Sequence, residues 1–197
     1  MGSVKSSNAI FLSVSEGKIV RRFTQPTPDS KQRTTKEGKI VNEETYKGWS
    51  GRIADIQFKE HEEYGSFVNV HISDGEENAV IQIKQSSGYA NAFLKMLPNV
   101  DLGQDVVITP NMKVEGDKKK TSMFITQGGN PVKWAYTREN PNGLPELKQI
   151  KIKGKLTYDD SDVIEFLQTM VNTTILPKLK KADPVAVEGE ETDEAPF

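Results

Sequence analysis

Two kinds of side chain in this sequence could act on one ligand: flat π faces and lysines set at strand spacing. Tyr64, Phe67 and His71 fall in one short stretch, and Phe124, Trp134 and Tyr136 in a second. The lysines stand in three places. Lys84 closes an apolar alternation, Lys118, Lys119 and Lys120 are contiguous, and Lys151, Lys153 and Lys155 take every second position. On one extended strand the last three would sit about 6.6 Å apart on one face. An aromatic face stacks a planar ring with little regard to its identity, for roughly 1–3 kcal/mol. Regularly spaced ammonium groups attract a chain of phosphates. Together they imply a polyanion whose repeating unit carries a flat ring.

Other chemistries find little support. The chain has no cysteine, which excludes thiol catalysis, thiolate metal sites and disulfides, and fits a reducing cytosol. No phosphate-cradling loop, nucleophile elbow or His-Glu-x-x-His motif is present. Only two histidines occur, His61 and His71, without neighbouring carboxylates at metal-ligand spacing. Asp55, Asp74 and Glu76 are scattered and are the only carboxylates on which an enzyme reading could rest. A non-enzyme with no cofactor and no metal is expected. No secretory leader and no apolar run near the roughly 18 residues of a membrane span is visible, so the expected location is cytoplasmic, without membrane partners.

The net charge of -2 conceals a split. Residues 183–197 hold six carboxylates (Asp183, Glu188, Glu190, Glu191, Asp193, Glu194) and no Lys or Arg, which leaves 26 basic against 22 acidic side chains in residues 1–182. The segment is too poor in apolar residues to offset its ordering entropy, so a disordered acidic tail is expected. Its acids imitate a phosphate backbone and suit an intramolecular competitor for a basic body. The final residue, Phe197, behind Glu190, Glu191, Asp193, Glu194 and Pro196, offers a compact anchor for a partner's pocket.

These groups need elements to hold them. Residues 9–14 and 18–23 read as a hairpin about Ser15-Glu16-Gly17, and 24–39, rich in Pro, Thr and Lys, as a mobile loop. Strands are expected over 49–59, 66–73 and 79–84. In the second, Val68, Val70 and Ile72 alternate with Phe67, Asn69 and His71. A core of Val68, Val70 and Ile72 would leave Phe67 and His71 on the outer, ligand-facing side. Ala90, Phe93, Leu94 and Leu97 form a helical stripe with Ser86 or Ser87 as cap and Pro98 as stop. Strands over 105–114 and 121–127 follow, with Lys118, Lys119 and Lys120 in their connecting turn and Phe124 outward. Trp134 and Tyr136 share one face, either to stack rings or to pack onto the body. Residues 149–158 read as one more strand or a hairpin arm, with Ile150, Ile152, Leu156 and Tyr158 on one side and Lys151, Lys153 and Lys155 on the other. These lysines form a phosphate rail or guard a sheet edge against aggregation. A helix with Val163, Phe166, Leu167, Met170 and Val171 inward closes the body, and Pro177 is expected to stop or kink it.

The order strand, strand, strand, helix, strand, strand over residues 46–127 resembles the OB-fold, a five-stranded, partly open Greek-key barrel. With the N-terminal hairpin, the late β-arm and the C-terminal helix, residues 1–182 are expected to form one mainly β, elaborated domain. The acidic segment ending in Phe resembles the tail of bacterial and phage single-stranded-DNA-binding proteins. The phage-type members are the nearer match, because no long low-complexity linker precedes the tail. That resemblance implies sequence-tolerant binding of single-stranded DNA, or RNA, in replication and recombination. It implies recruitment of proteins such as polymerase or helicase through the tail, and leaves self-association open. The alternative is a structural or adaptor protein whose barrel binds protein.

Overall fold

Burial follows the apolar alternation closely in the middle of the chain, and the sheet is built outward from there. The computed structural model describes residues 9–35, 38–75, 77–152 and 154–182. The chain is mainly β. Four strands come first: β1 (Ile10–Ser15), β2 (Lys18–Phe23), β3 (Lys31–Thr34) and β4 (Ile40–Tyr46). The central strands are β5 (Trp49–His61), β6 (Gly65–Ser73) and β7 (Asn78–Lys84). Helix α1 (Gly88–Met96) runs into a 3-10 turn at Leu97–Asn99, followed by β8 (Val106–Glu115), β9 (Lys118–Gln127) and β10 (Asn130–Pro131). All ten strands belong to one open sheet, in the order β10-β9-β8-β5-β6-β7-β1-β2-β4-β3. Its segment β8-β5-β6-β7 has a fourth strand that returns, through α1, to lie beside the first, as in a Greek key. The β1–β7 pair is parallel and the other pairs are antiparallel.

The core lies on one side of this sheet. Ile53, Ile56, Val68, Val70, Ile72, Ile81 and Ile83 bury against Ala90, Phe93 and Leu94 of α1. Ser87 caps α1, its Oγ accepting from Ala90 N at 3.2 Å. The first residue of α1, Gly88, is pressed so close to β9 that an added Cβ would lie 2.4 Å from the Thr121 carbonyl oxygen. The sheet curls until the β1–β2 turn meets β8. There Gly17 has φ of 75°, its N–H donates to Tyr89 Oη at 2.7 Å, and an added Cβ would stand 2.8 Å from Met112 N.

After the sheet, a two-stranded hairpin of β11 (Lys148–Ile152) and β12 (Lys155–Asp159) stands apart. The terminal helix α2 (Ser161–Met170) adds Val163, Leu167 and Met170 to the core. It continues through a π-helical turn, Val171–Ile175, into α3 (Leu176–Ala182).

Two expectations are corrected here, and one that was left open is decided. Residues 24–39 are not simply a loop, because β3 lies within them and β4 follows directly. The pairing is fixed by Glu43 of β4, which accepts from Arg22 Nε at 3.0 Å and from Arg33 Nη2 at 2.8 Å. Of the two readings of residues 149–158, the structure shows the hairpin arm: the chain turns back around Gly154, which pairs Lys151 with Leu156 and Gln149 with Tyr158. Pro177 does not stop the helix. The turn before it is already widened, with the Leu176 N–H donating to the Val171 carbonyl, and so absorbs a residue that lacks an N–H.

Candidate nucleic-acid interface

The face of β5, β6 and β7 opposite the core holds two of the predicted ring-holding residues, Phe67 and His71. Register sets Lys59, Phe67 and Lys84 in one cross-strand row, Gln57, Asn69 and Gln82 in the next, and Asp55, His71 and Val80 in a third. A β-bulge between Ile53 and Asp55 produces this alignment, because it shifts β5 by one residue and turns Asp55, Gln57 and Lys59 outward. The parallel pair β1–β7 extends the face, placing Phe11 opposite Val80 and Ser13 opposite Gln82. On β2, Arg22 is held by Glu43.

The expected parity of β6 is found, but not the expected exposure. Phe67 is only 2% exposed although it lies outside the apolar core cluster, so it is not an open stacking platform. His71 is 8% exposed and Asn69 4%, although both point away from the core. The Asn69 Oδ1 and both ring nitrogens of His71 have no hydrogen-bond partner among the described residues. Burial pushes the His71 imidazole below its usual pKa. The Asp55 carboxylate opposes that shift and Lys59 adds to it. The ring is therefore neutral at pH 7, with one nitrogen donating and the other accepting.

The remaining candidates divide. Lys84 is exposed at the end of β7. Tyr64 is half-buried in the β5–β6 turn, its ring 4.7 Å from that of His61. Phe124 is 48% exposed on β9, opposite Thr109. Trp134 is 42% exposed, with Lys95 Nζ 5.6 Å from its ring centroid. It sits in an irregular segment after β10, not on a strand. Tyr136 is corrected: it is buried, and meets Phe166 of α2 edge-on at 5.5 Å, packing the segment onto the helix.

The lysine groups are corrected as well. Lys118, Lys119 and Lys120 lie on β9, not in a turn, because the β8–β9 ladder closes to the pair Glu115–Lys118. Two of the three carry carboxylate partners, Lys119 with Glu16 at 3.3 Å and Lys120 with Glu115 at 2.5 Å. Lys113 pairs with Lys120 across the ladder and shares its side of the hairpin. The one-strand phosphate rail does not exist, since Lys151 is on β11 and Lys155 on β12. Lys153, and the tail residues Glu190, Glu191, Asp193, Glu194, Pro196 and Phe197, lie outside the described residues. So does Glu76, one of the three carboxylates on which an enzyme could rest, and Asp55 is engaged by Gln57 Nε2 at 2.9 Å. Among the described residues no group of three His, Cys, Asp or Glu could hold a metal ion.

Sequence reasoning passed over Asn69, Gln57, Gln82 and Phe11. Asn69 and Gln82 were legible in the same alternations that singled out their neighbours. Gln57 needed the bulge, and Phe11 needed the β1–β7 pairing. In comparisons with known proteins, no protein-family model, no curated protein and no solved structure matches this chain.

Proposed function

We propose that this protein binds single-stranded DNA with little sequence preference, on an elaborated OB-type body, and acts without catalysis in replication and recombination. The observation that carries the reading is the outer face of β5, β6, β7 and β1. It joins the cations Lys59 and Lys84 and the exposed ring of Phe11 on one side of the sheet, opposite the core. In the OB-fold the second and third strands and the loops after the first and fourth strands form the binding face. Here those are β6, β7, the β5–β6 turn with Tyr64, and the β8–β9 hairpin with its lysines. Phe124 and Trp134 supply further exposed rings, and Lys113 and Lys118 further cations.

In this reading residues 183–197 compete with the strand for the basic face and dock a replication protein such as polymerase or helicase through Phe197. The protein works in the cytoplasm of a bacterial host cell. No helix among the described residues is long and apolar enough to cross a membrane.

Titration of oligo-dT against the fluorescence of the two tryptophans, at several salt concentrations, tests the proposal. Binding should weaken with salt at a slope in log K against log salt of about -0.7 per neutralised phosphate. Removing residues 183–197 should tighten binding, most at low salt. No binding at low salt refutes the proposal, and a flat salt response removes phosphate contact from it.

A further inference from the structure

We infer that the β11–β12 hairpin is a second gripping surface for the single strand, with Tyr158 as a ring on which a base stacks and Lys151 as the cation for an adjoining phosphate. The inference rests on the proposed binding of single strands and extends it to an element outside the ten-stranded sheet.

Three observations lead to it. First, the hairpin register gathers groups that a single strand would separate. On one strand Lys151 would face away from Leu156 and Tyr158, since odd and even positions point to opposite faces. The turn around Gly154 instead pairs Lys151 with Leu156 and Gln149 with Tyr158, and directly opposed residues share a face. One face therefore carries a ring, an apolar side chain, an amide and an ammonium group. Lys151 has no ion-pair partner among the described residues, whereas Lys148 is taken by Asp162 at 2.5 Å.

Second, this face is open to solvent. Tyr158 is 63% exposed and Leu156 67%, and Gln149 and Lys151 are exposed beside them. An apolar patch left in water marks a surface that meets something else. A hairpin of two strands is by itself only marginally stable in water. Strands β11 and β12 pair only with each other, so a ligand lying on the open face also steadies the arm. Gln149 Nε2 donates to Tyr158 Oη at 3.3 Å, which restrains the ring before a base arrives.

Third, the arm leaves the body at the margin of the proposed binding face. Leu147, just before β11, and Asp160, just after β12, line one cleft with Ser86 and Ser87. Ser87 Oγ donates to the Lys84 carbonyl at 2.6 Å, and Lys84 closes β7 as an exposed cation. A strand leaving the face at Lys84 therefore passes the base of the arm. Residues 148–159 hold four lysines against one acid, which suits a polyanion. The same charge counts against a second copy as the occupant. Two arms meeting about a two-fold axis present the same face to each other, lysine towards lysine.

The test uses the full chain and oligo-dT over a salt series. Y158L, which keeps an apolar side chain but no flat ring, should bind about tenfold more weakly with an unchanged salt slope. Y158F should bind as the parent does. K151Q should make the slope shallower by about 0.7, the loss of one phosphate contact. An oligo-dT strand carrying 5-iododeoxyuridine, irradiated on the parent protein, should leave a covalent adduct on Tyr158, read by peptide mass spectrometry. Parent-like affinity of Y158L, or no adduct on Tyr158, overturns the arm while strand binding stands. Should Y158L melt well below the parent, the adduct and the K151Q slope decide alone, and an unchanged slope without an adduct overturns the inference. Sedimentation without DNA checks the other occupant. A parent that self-associates beside a monomeric Y158L of unchanged affinity makes the arm a contact between copies and overturns the inference. If oligo-dT does not bind the parent at low salt, the single-strand reading falls and the arm with it.

Discussion

Replacing two acids at the tip of the curled sheet should strengthen strand binding. Lys119 Nζ lies 3.3 Å from Glu16 Oε1 and Lys120 Nζ 2.5 Å from Glu115 Oε2, all on exposed side chains. Each carboxylate occupies a lysine that could otherwise face a phosphate. In an E16Q/E115Q protein both ammonium groups are released and the net charge at the tip rises by two. If each then neutralises one phosphate, the slope of log K against log salt steepens by about 1.4. Over a tenfold fall in salt the variant should gain about 25-fold more affinity than the parent. The fold should not notice, since exposed ion pairs contribute about 0–1 kcal/mol each. Fluorescence titrations with oligo-dT across a salt series measure both slopes, and thermal melts check that stability is kept. Parallel slopes would refute the reasoning. The β8–β9 tip would then lie off the strand's path, and the interface would end at β5, β6, β7 and β1.

Three further outcomes follow from particular contacts. F124A and W134A should each weaken strand binding by about 1–3 kcal/mol while leaving the salt slope unchanged, because stacking releases no condensed counterions; salt-series titration of both checks this. G51A should lower the unfolding free energy by about 2–4 kcal/mol in urea, since Gly51 has φ of 141° and an added Cβ would stand 2.6 Å from Ile72 Cγ2. Glu43 is held below its usual carboxylate range, chiefly by the hydrogen bond from Arg33 and then by Arg22, against an opposing effect of burial. Its contribution is therefore complete above the ordinary value of 4.5 and is lost as pH falls through the lowered one, so E43Q should narrow the stability gap between neutral and acid pH in urea titrations.

What could be read from the sequence was what local periodicity encodes. Val68, Val70 and Ile72 announce a strand and its buried face, and Ala90, Phe93 and Leu94 announce a helix, because each pattern needs only its own segment to be recognised. β3 and β4 lack such a pattern. Lys31–Thr34 is polar and exposed throughout, and Glu43 is buried only because Arg22 and Arg33 converge on it from two other strands. Residues 149–158 left a strand and a hairpin arm both open for a related reason. Alternation reports spacing along the chain, and a turn near Gly154 reverses direction without breaking the apolar rhythm on either side. Of the site, parity put Phe67 and His71 on the correct face. Burial of that face depends on neighbouring strands and could not be read from β6 alone.

The first hairpin then takes on more than an accessory part. Strand β7 would be an open sheet edge without it, and β1 covers that edge with a parallel partner. The same pairing sets Phe11 opposite Val80, whose other neighbour is His71, so an exposed ring comes to stand two strands from His71. Strand β2 carries the surface on to Arg22, while the β1–β2 turn brings Glu16 against Lys119 on β9. Residues before β5 thus supply a ring and an acidic restraint to a face whose centre is built by β5, β6 and β7. A body limited to residues 46–127 would keep Asn69 and His71 but lose the edge cover, Phe11 and the contact that occupies Lys119. If the protein binds single strands as proposed, affinity and its salt response should belong to the whole ten-stranded sheet, with the five strands β5 to β9 accounting for only part of either.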